Sequence, residues 1–375
     1  MDRQTDVIDA DGHVEESDET FSDKYLDAEY RSRRPQVVGS DNGRAFWLID
    51  DQLFPRLAGR GCHIIGTPTG YGKVRAEVST WKPEQIASIE MRDVDLRYRD
   101  IKKENIDVQV IYPTLFIAPQ LTVDVGLGQA LCRSYNSWIS EVCGRRPQTF
   151  KWVAAVTLDD VPGAVKELAR SKELGAVGVT ICGTYQERLL GDPIFLPFFE
   201  EAARLDLPVA VHVGWSCQGV NNLVTDLFNS VVTAFSFPVL ASCVSLIGAG
   251  IFDRFPKLRI AFLEAGCEWV PFLASRMNHF YEFAKERMPR ALPKARREPE
   301  DYLRSGNFFV SCEVEDRLLP FVIDLIGEDQ ILYASDVPHS DRMIDSVTYL
   351  RKRSDISESA KRKILSENPS KFYKF

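Results

Sequence analysis

Five acidic or imidazole side chains stand where short apolar runs of this 375-residue chain stop. Asp11 and His13 close the first run, Val7-Ile8-Asp9-Ala10-Asp11-Gly12-His13. His212 ends Val209-Ala210-Val211, Glu264 ends Ile260-Ala261-Phe262-Leu263, and Asp336 follows Ile331-Leu332-Tyr333-Ala334-Ser335. Carboxylate oxygen and neutral imidazole nitrogen are good donors to a divalent ion. Brought together from separate strands, they would bind a metal, lower the pKa of its water toward about 7 and polarise a substrate oxygen. A buried carboxylate without a partner is costly, and an ion offsets that cost.

Each residue also has a plainer reading. D-x-H is a weak pattern, although alternation points Asp11 and His13 to one face if the strand runs through both. A lone histidine in an apolar strand is commonly a hydrogen-bonded core residue. Asp336 has a structural cap as its alternative, and Glu264 an ion pair at a rim. Their shared place at strand ends favours the metal. Asp336 would then bind or deprotonate the water, and Glu264 would complete the site or shuttle a proton. His339, just past the last run, is a candidate catalytic, substrate-binding or supporting group. Glu15 and Glu16 are alternate donors, with Glu15 facing solvent. Glu268 reads as an acid at a helix start, His279 as structural or exposed on a helix, and His63 as part of an insertion. Trp215, Trp269 and Phe116 are candidates to wall a pocket.

The elements that must position these groups are legible as eight apolar runs, near 6–11, 107–112, 152–157, 176–181, 208–213, 259–264, 307–312 and 331–336. Near-continuous apolar runs suit parallel strands buried on both faces. Amphipathic segments at 162–174, 195–205 and 318–326 alternate with them. The alternation predicts an α/β chain and a (β/α)8 TIM-type barrel, whose chemistry lies at the C-terminal ends of its strands. Residues 1–375 read as one domain. The first connection, 14–106, is too long to be structureless. It carries Trp47, Phe54, Trp81 and the glycine-rich 66–72, and predicts an insert over the barrel mouth with a helix near 86–98. That insert is either a lid that excludes water or a structural flap.

Composition narrows the partners. A net charge of -8 leaves no basic excess to neutralise phosphates, which argues against nucleic acid. The basic residues Lys294, Arg296 and Arg297 stand beside Glu298 and Glu300 and read as a solvated surface. Eight cysteines are scattered with no C-x-x-C pair, as in a reduced cytoplasmic chain. The charged amino terminus lacks the apolar core of a signal peptide. The stretch 229–252 has no charged residue and is long enough to span a bilayer. Its proline, glycines and hydroxyls, in the middle of the barrel pattern, make it instead a buried helix near a subunit contact, with no membrane partner.

Several motifs carry a resemblance. Asp-Ala-Asp-Gly-His, Val-His-Val-Gly-Trp, Pro256-Lys257-Leu258-Arg259-Ile260, Phe-Leu-Glu-Ala-Gly-Cys, Tyr-Ala-Ser-Asp-Val-Pro-His-Ser-Asp and the closing Ile364 to Tyr373 occur in order. Together the chain resembles the amidohydrolase-related family, in the branch of aminocarboxymuconate semialdehyde decarboxylase and the resorcylate-type decarboxylases. The resemblance implies a barrel with one divalent metal ion, zinc or manganese, in a homodimer acting on a small molecule. It places metal ligands at Asp11, His13, His212 and Asp336. Asp11 is a variant, since that position is often histidine or glutamate. Strand six departs further, carrying Glu264 where the decarboxylases generally have a histidine used in proton handling. The first expectation is therefore a metal-dependent hydrolase of a small cyclic or aromatic carbonyl compound, with Glu264 as a further ligand. The alternative is a non-oxidative decarboxylase of an aromatic or unsaturated acid. A non-catalytic binding barrel is the third.

Overall fold

The computed structural model describes residues 6–39, 45–64, 82–117, 120–340 and 342–375. All eight expected strands form: β1 (Ile8–Val14), β2 (Val108–Pro113), β3 (Phe150–Ala155), β4 (Gly178–Cys182), β5 (Val209–His212), β6 (Ile260–Leu263), β7 (Phe308–Cys312) and β8 (Ile331–Tyr333). They lie side by side in chain order, and every neighbouring pair is parallel. Past the end of β8 the chain returns to β1. Asp336 N–H donates to the Asp11 carbonyl at 3.1 Å, and His13 N–H to that of Val337 at 2.7 Å. The sheet thus nearly closes into a (β/α)8 barrel.

A helix follows each strand: α1 (Val94–Lys103), α2 (Val125–Gly144), α3 (Val161–Glu173), α4 (Leu196–Arg204), α5 (Phe237–Gly248), α6 (Trp269–Arg287), α7 (Leu319–Ile326) and α8 (Ser346–Lys352). Proline opens α3, α4, α5 and α7, where its missing N–H has no intrahelical acceptor to lose. Large apolar side chains fill the layer between strands and helices. Smaller ones fill the barrel itself, including Ala10, Val153, Ala210, Ala261 and Leu332. Phe372 and Tyr373 of the last helix join that inner cluster. Tyr373 donates its hydroxyl to the Ala10 carbonyl at 2.6 Å, and its oxygen lies 2.6 Å from that of Tyr112. With this plug in the barrel, open space remains at the C-terminal ends of the strands.

The first connection carries a three-stranded antiparallel sheet, Gln36–Gly39, Ala45–Ile49 and Gln52–Phe54. Trp47, Ile49 and Phe54 bury against Leu115, Ile117 and Trp215, beside the barrel mouth. Trp81 and the glycine-rich 66–72 lie outside the described residues. The single helix expected near 86–98 is instead two, Pro83–Ile89 and α1. Met91 breaks the run at φ 50, and the Asp93 carboxylate caps α1 by accepting from the N–H groups of Asp95 and Leu96. The uncharged stretch is only partly covered within one chain. Leu227–Gly248 is helical and, by length and composition alone, could cross a membrane, but only 39% of its apolar window is buried. Its second half, α5, lies against β5, β6 and α6, while Phe228, Val232, Phe237 and Val244 stay exposed.

Candidate metal centre

The strand-end donors converge on one point above the barrel plug. His13 Nε2 lies 3.4 Å from Asp11 Oδ1, 3.4 Å from Glu264 Oε2 and 3.7 Å from Asp336 Oδ1. His212 Nε2 lies 3.0 Å from Glu264 Oε2 and 3.5 Å from Asp11 Oδ2. Each imidazole is 3.1 Å through Nδ1 from a backbone carbonyl, Pro113 for His13 and Val213 for His212. Donation there leaves each Nε2 lone pair facing the centre, the tautomer a metal requires. Among the described residues, Asp11 Oδ1, His13 Nε2, His212 Nε2, Glu264 Oε2 and Asp336 Oδ1 are buried and face mainly one another and His339 Nδ1. Five such atoms in one place would be costly unless a cation satisfies them together. Asp11, His13, His212 and Glu264 could hold one divalent ion, with Asp336 and His339 in an overlapping group through His13 and Glu264, and the mixed nitrogen and oxygen atoms suit zinc or manganese.

The backbone is shaped for this convergence. β1 runs through both Asp11 and His13, with an irregular register between Asp9 and Gly12. Gly12 separates the pair because a Cβ there would stand 2.3 Å from Gln109 Nε2 and 2.7 Å from Asp9 Oδ2. Those two groups form a hydrogen bond of 2.7 Å directly over it. Asp9 also accepts from the Ser335 N–H at 2.9 Å and from the Ser335 hydroxyl. Arg97 of α1 donates to Gln109 Oε1 at 3.0 Å and to the carbonyls of His13 and Val337 at 2.7 Å each. This fully buried network fastens the two ends of the barrel behind the ligands.

The charges explain the titration of the site. Burial alone would lower His212, but the carboxylates of Asp11 and Glu264 outweigh it and carry the imidazole up to about 10. Burial likewise opposes the proton on His13, and Asp11 and Glu264 again prevail. Burial would raise Glu264, yet the two histidines hold it well below the usual carboxylate range. Asp336 is different. Burial pushes it up to about 6 against the pull of His339, and the charge of Glu264 adds to the rise. His339 Nδ1 lies 2.5 Å from Asp336 Oδ1, its Nε2 lies 2.9 Å from Thr114 Oγ1, and its ring stacks on His13 with centroids 4.3 Å apart.

The remaining candidates divide. A cavity of about 320 Å³ opens beside His212 and is lined by Phe116 and Trp215. Trp215 is fixed by donating Nε1 to Ser230 Oγ at 2.7 Å and by packing on Phe235. Trp269 does not line this cavity, contrary to expectation. It starts α6, turns inward onto Phe262 and donates Nε1 to the Gly266 carbonyl at 2.8 Å. Glu16 is buried but serves the backbone, accepting from the N–H groups of Thr114 and Leu115 at 3.2 and 2.8 Å. Glu268 accepts from the Leu318 N–H at 2.9 Å, and His279 is exposed on α6. His63 is buried in the insert against Trp215. Sequence reasoning missed Asp9, Arg97, Gln109, Thr114 and Glu313. Asp9 alone left a signal, as an acid two residues before Asp11. Glu313, just past β7, is pushed by burial to about 8, and the charges of Glu264, Asp316 and Asp336 add to the shift.

With this geometry in hand, comparison with known proteins is informative. The profile of the family described as Amidohydrolase matches residues 8–375. A 2-amino-3-carboxymuconate-6-semialdehyde decarboxylase from Dictyostelium discoideum is 26% identical over 287 residues, covering 75% of this chain and 76% of that protein. A gamma-resorcylate decarboxylase from Rhodococcus jostii is 26% identical over 316 residues, covering 78% and 91%. Among solved structures, a dihydroxybenzoic acid decarboxylase from Polaromonas with bound manganese and the inhibitor 2-nitroresorcinol superposes with a TM-score of 0.68. It is 20% identical, covers 99% of this chain and 97% of its own, and so speaks to the fold.

Proposed function

This chain belongs to the amidohydrolase family, and within it we propose a metal-dependent, non-oxidative decarboxylase of a small aromatic hydroxy acid. One observation carries the reading: buried carboxylates and imidazoles from separate strand ends cluster beside an aromatic-walled cavity. The activities named for the two relatives support carboxyl loss over the hydrolysis that the sequence alone puts first. Asp11, His13, His212, Glu264 and Asp336 would hold the ion. When bound, it supplies a Lewis acid for the substrate carboxylate and a neighbouring oxygen.

The chain's own residues do the rest. Breaking the ring–carboxyl bond releases carbon dioxide and leaves an electron pair on the ring carbon, which must take up a proton. Asp336 and His339 are paired to deliver it, with Thr114 holding the far ring nitrogen of His339. His339, whose Nδ1 faces Asp336 Oδ1, would carry the proton to be delivered. Phe116 and Trp215 would flank the aromatic ring, and we read the insert behind Trp215 as a lid that keeps water out.

A second reading, hydrolysis of a cyclic or aromatic carbonyl compound, draws on Glu264. A carboxylate past β6 can accept a proton from water and pass it to a leaving group. The two readings separate on one assay. Manganese-loaded protein is incubated with a panel of ortho-hydroxybenzoates, and carbon dioxide is measured. Release that stops on chelation is the expected result. No release from any acid, with hydrolysis of a lactone or amide instead, would overturn decarboxylation.

A further inference from the structure

Resting on the decarboxylase reading, we propose that the cavity selects aromatic acids whose far edge carries hydroxyl groups and rejects those with a second carboxylate. The cavity that His212 lines also carries side chains from several other elements. Its charged side chains, among the described lining residues, are Asp159 and Glu187, both acidic, and it includes no lysine or arginine. Neutral polar groups such as Gln120, Thr157, Gln186 and Ser216 complete it.

Asp159 is set up as an acceptor. Its Oδ2 receives the Thr157 hydroxyl at 2.8 Å and the Gln120 amide at 3.3 Å. Among the described residues no donor reaches its Oδ1, so a ligand hydroxyl placed there gains a charge-assisted hydrogen bond. Glu187 stands at the exposed side, where both its oxygens accept from the Gly219 N–H at 3.2 Å. The nearest arginine in sequence is engaged elsewhere, since Arg188 pairs with Asp192 at 2.8 Å. A distal carboxylate would lose water and meet two like charges with no cation to balance it. A distal hydroxyl would meet acceptors. On the proposed reading one carboxylate of the ligand meets the ion, so a second would be left to the acidic lining of the cavity.

The test is a matched pair of ligands on the manganese-loaded protein, read by calorimetry. Gentisate carries a carboxylate with an ortho hydroxyl at one end and a hydroxyl at the other. Its counterpart is the salicylate bearing a carboxylate in place of that second hydroxyl. Whichever carboxylate of the counterpart meets the metal, the other lies in the cavity. Gentisate should bind about tenfold or more tightly than the counterpart, and Asp159→Asn should narrow the gap while the thermal midpoint stays put. Equal affinities, or a gap that Asp159→Asn leaves unchanged, would overturn the selectivity and leave decarboxylation standing. Binding of neither ligand, with metal content confirmed, would overturn the decarboxylase reading and this inference with it.

Discussion

Removing the metal should make the protein sensitive to alkali. In the folded chain His212 is held at about 10 against an ordinary 6.5, because Asp11 and Glu264 outweigh the burial that would lower it. A group whose pKa rises on folding binds its proton more tightly in the native state. Its stabilisation is complete below 6.5 and is lost as the pH climbs through about 10. Each pH step of one between those values is worth about 1.4 kcal/mol, so His212 alone contributes up to ~5 kcal/mol. That is a large part of the roughly 5–15 kcal/mol that holds a domain together. Glu16 and Glu313, lifted by burial to about 8, act with the same sign, because each takes up a proton on folding that an ordinary glutamate has released. A divalent ion replaces the protons on the histidines, so saturating manganese should flatten the profile. Thermal or urea unfolding across this pH window, in chelator and in manganese, measures both effects. His212→Asn should make the chelated profile shallower, with Glu16, Glu313 and His13 supplying the slope that remains. A metal-free midpoint that stays level or rises with pH would refute the idea that these donors are held together for a cation.

Three further outcomes follow from the same geometry. His212→Ala should lose most of its metal on gentle purification, and elemental analysis showing full retention would remove this residue from the ligand set. Glu264→Gln keeps the volume but removes the charge beside both histidines, so turnover should fall by roughly 10²-fold or more; near-wild-type turnover would reduce Glu264 to a bystander. The exposed Phe237 and Phe272 on the neighbouring helices α5 and α6 should lie in a homodimer contact. Light scattering should then give twice the chain mass, with Phe272→Asp shifting it toward monomer, whereas a wild-type monomer at micromolar concentration would refute the contact.

The barrel was legible because parallel strands buried on both faces leave apolar runs that few other elements imitate, and all eight fell within a few residues of their places. That these acids and imidazoles would cluster was legible because such a barrel gathers the ends of its strands. What stayed hidden depends on side-chain direction or on distance along the chain. Arg97 reads in sequence as one more cation of a charged helix. Its role appears only when α1 sets it against carbonyls 84 and 240 residues away. Trp269 follows a strand-end acid much as Trp215 follows a strand-end histidine, yet the turn at Gly266, with φ 62, sends it into the core. The uncharged Leu227–Gly248 gave the right element, but periodicity cannot distinguish a face covered by the same chain from one left open.

The backbone bears on the residue that departs most from the decarboxylase pattern. Glu264 and Asp336 adopt φ values of 61 and 54, a left-handed conformation that costs a non-glycine residue about 1–2 kcal/mol. Aspartate tolerates it better than glutamate. Both positions are pinned: the Glu264 N–H donates to Ser311 Oγ at 2.9 Å, and that of Asp336 to the Asp11 carbonyl. Glycine would relieve the strain and lose the carboxylate. Glu264 is also not the rim ion pair that its sequence position allows, because its ionic partners among the described residues are His13 and His212, with no lysine or arginine. A cation among the three would give the strained glutamate and both imidazoles a common partner. On the decarboxylase reading proposed above, the carboxylate past β6 would complete the metal cluster, and proton delivery would fall to the Asp336–His339 pair across the site.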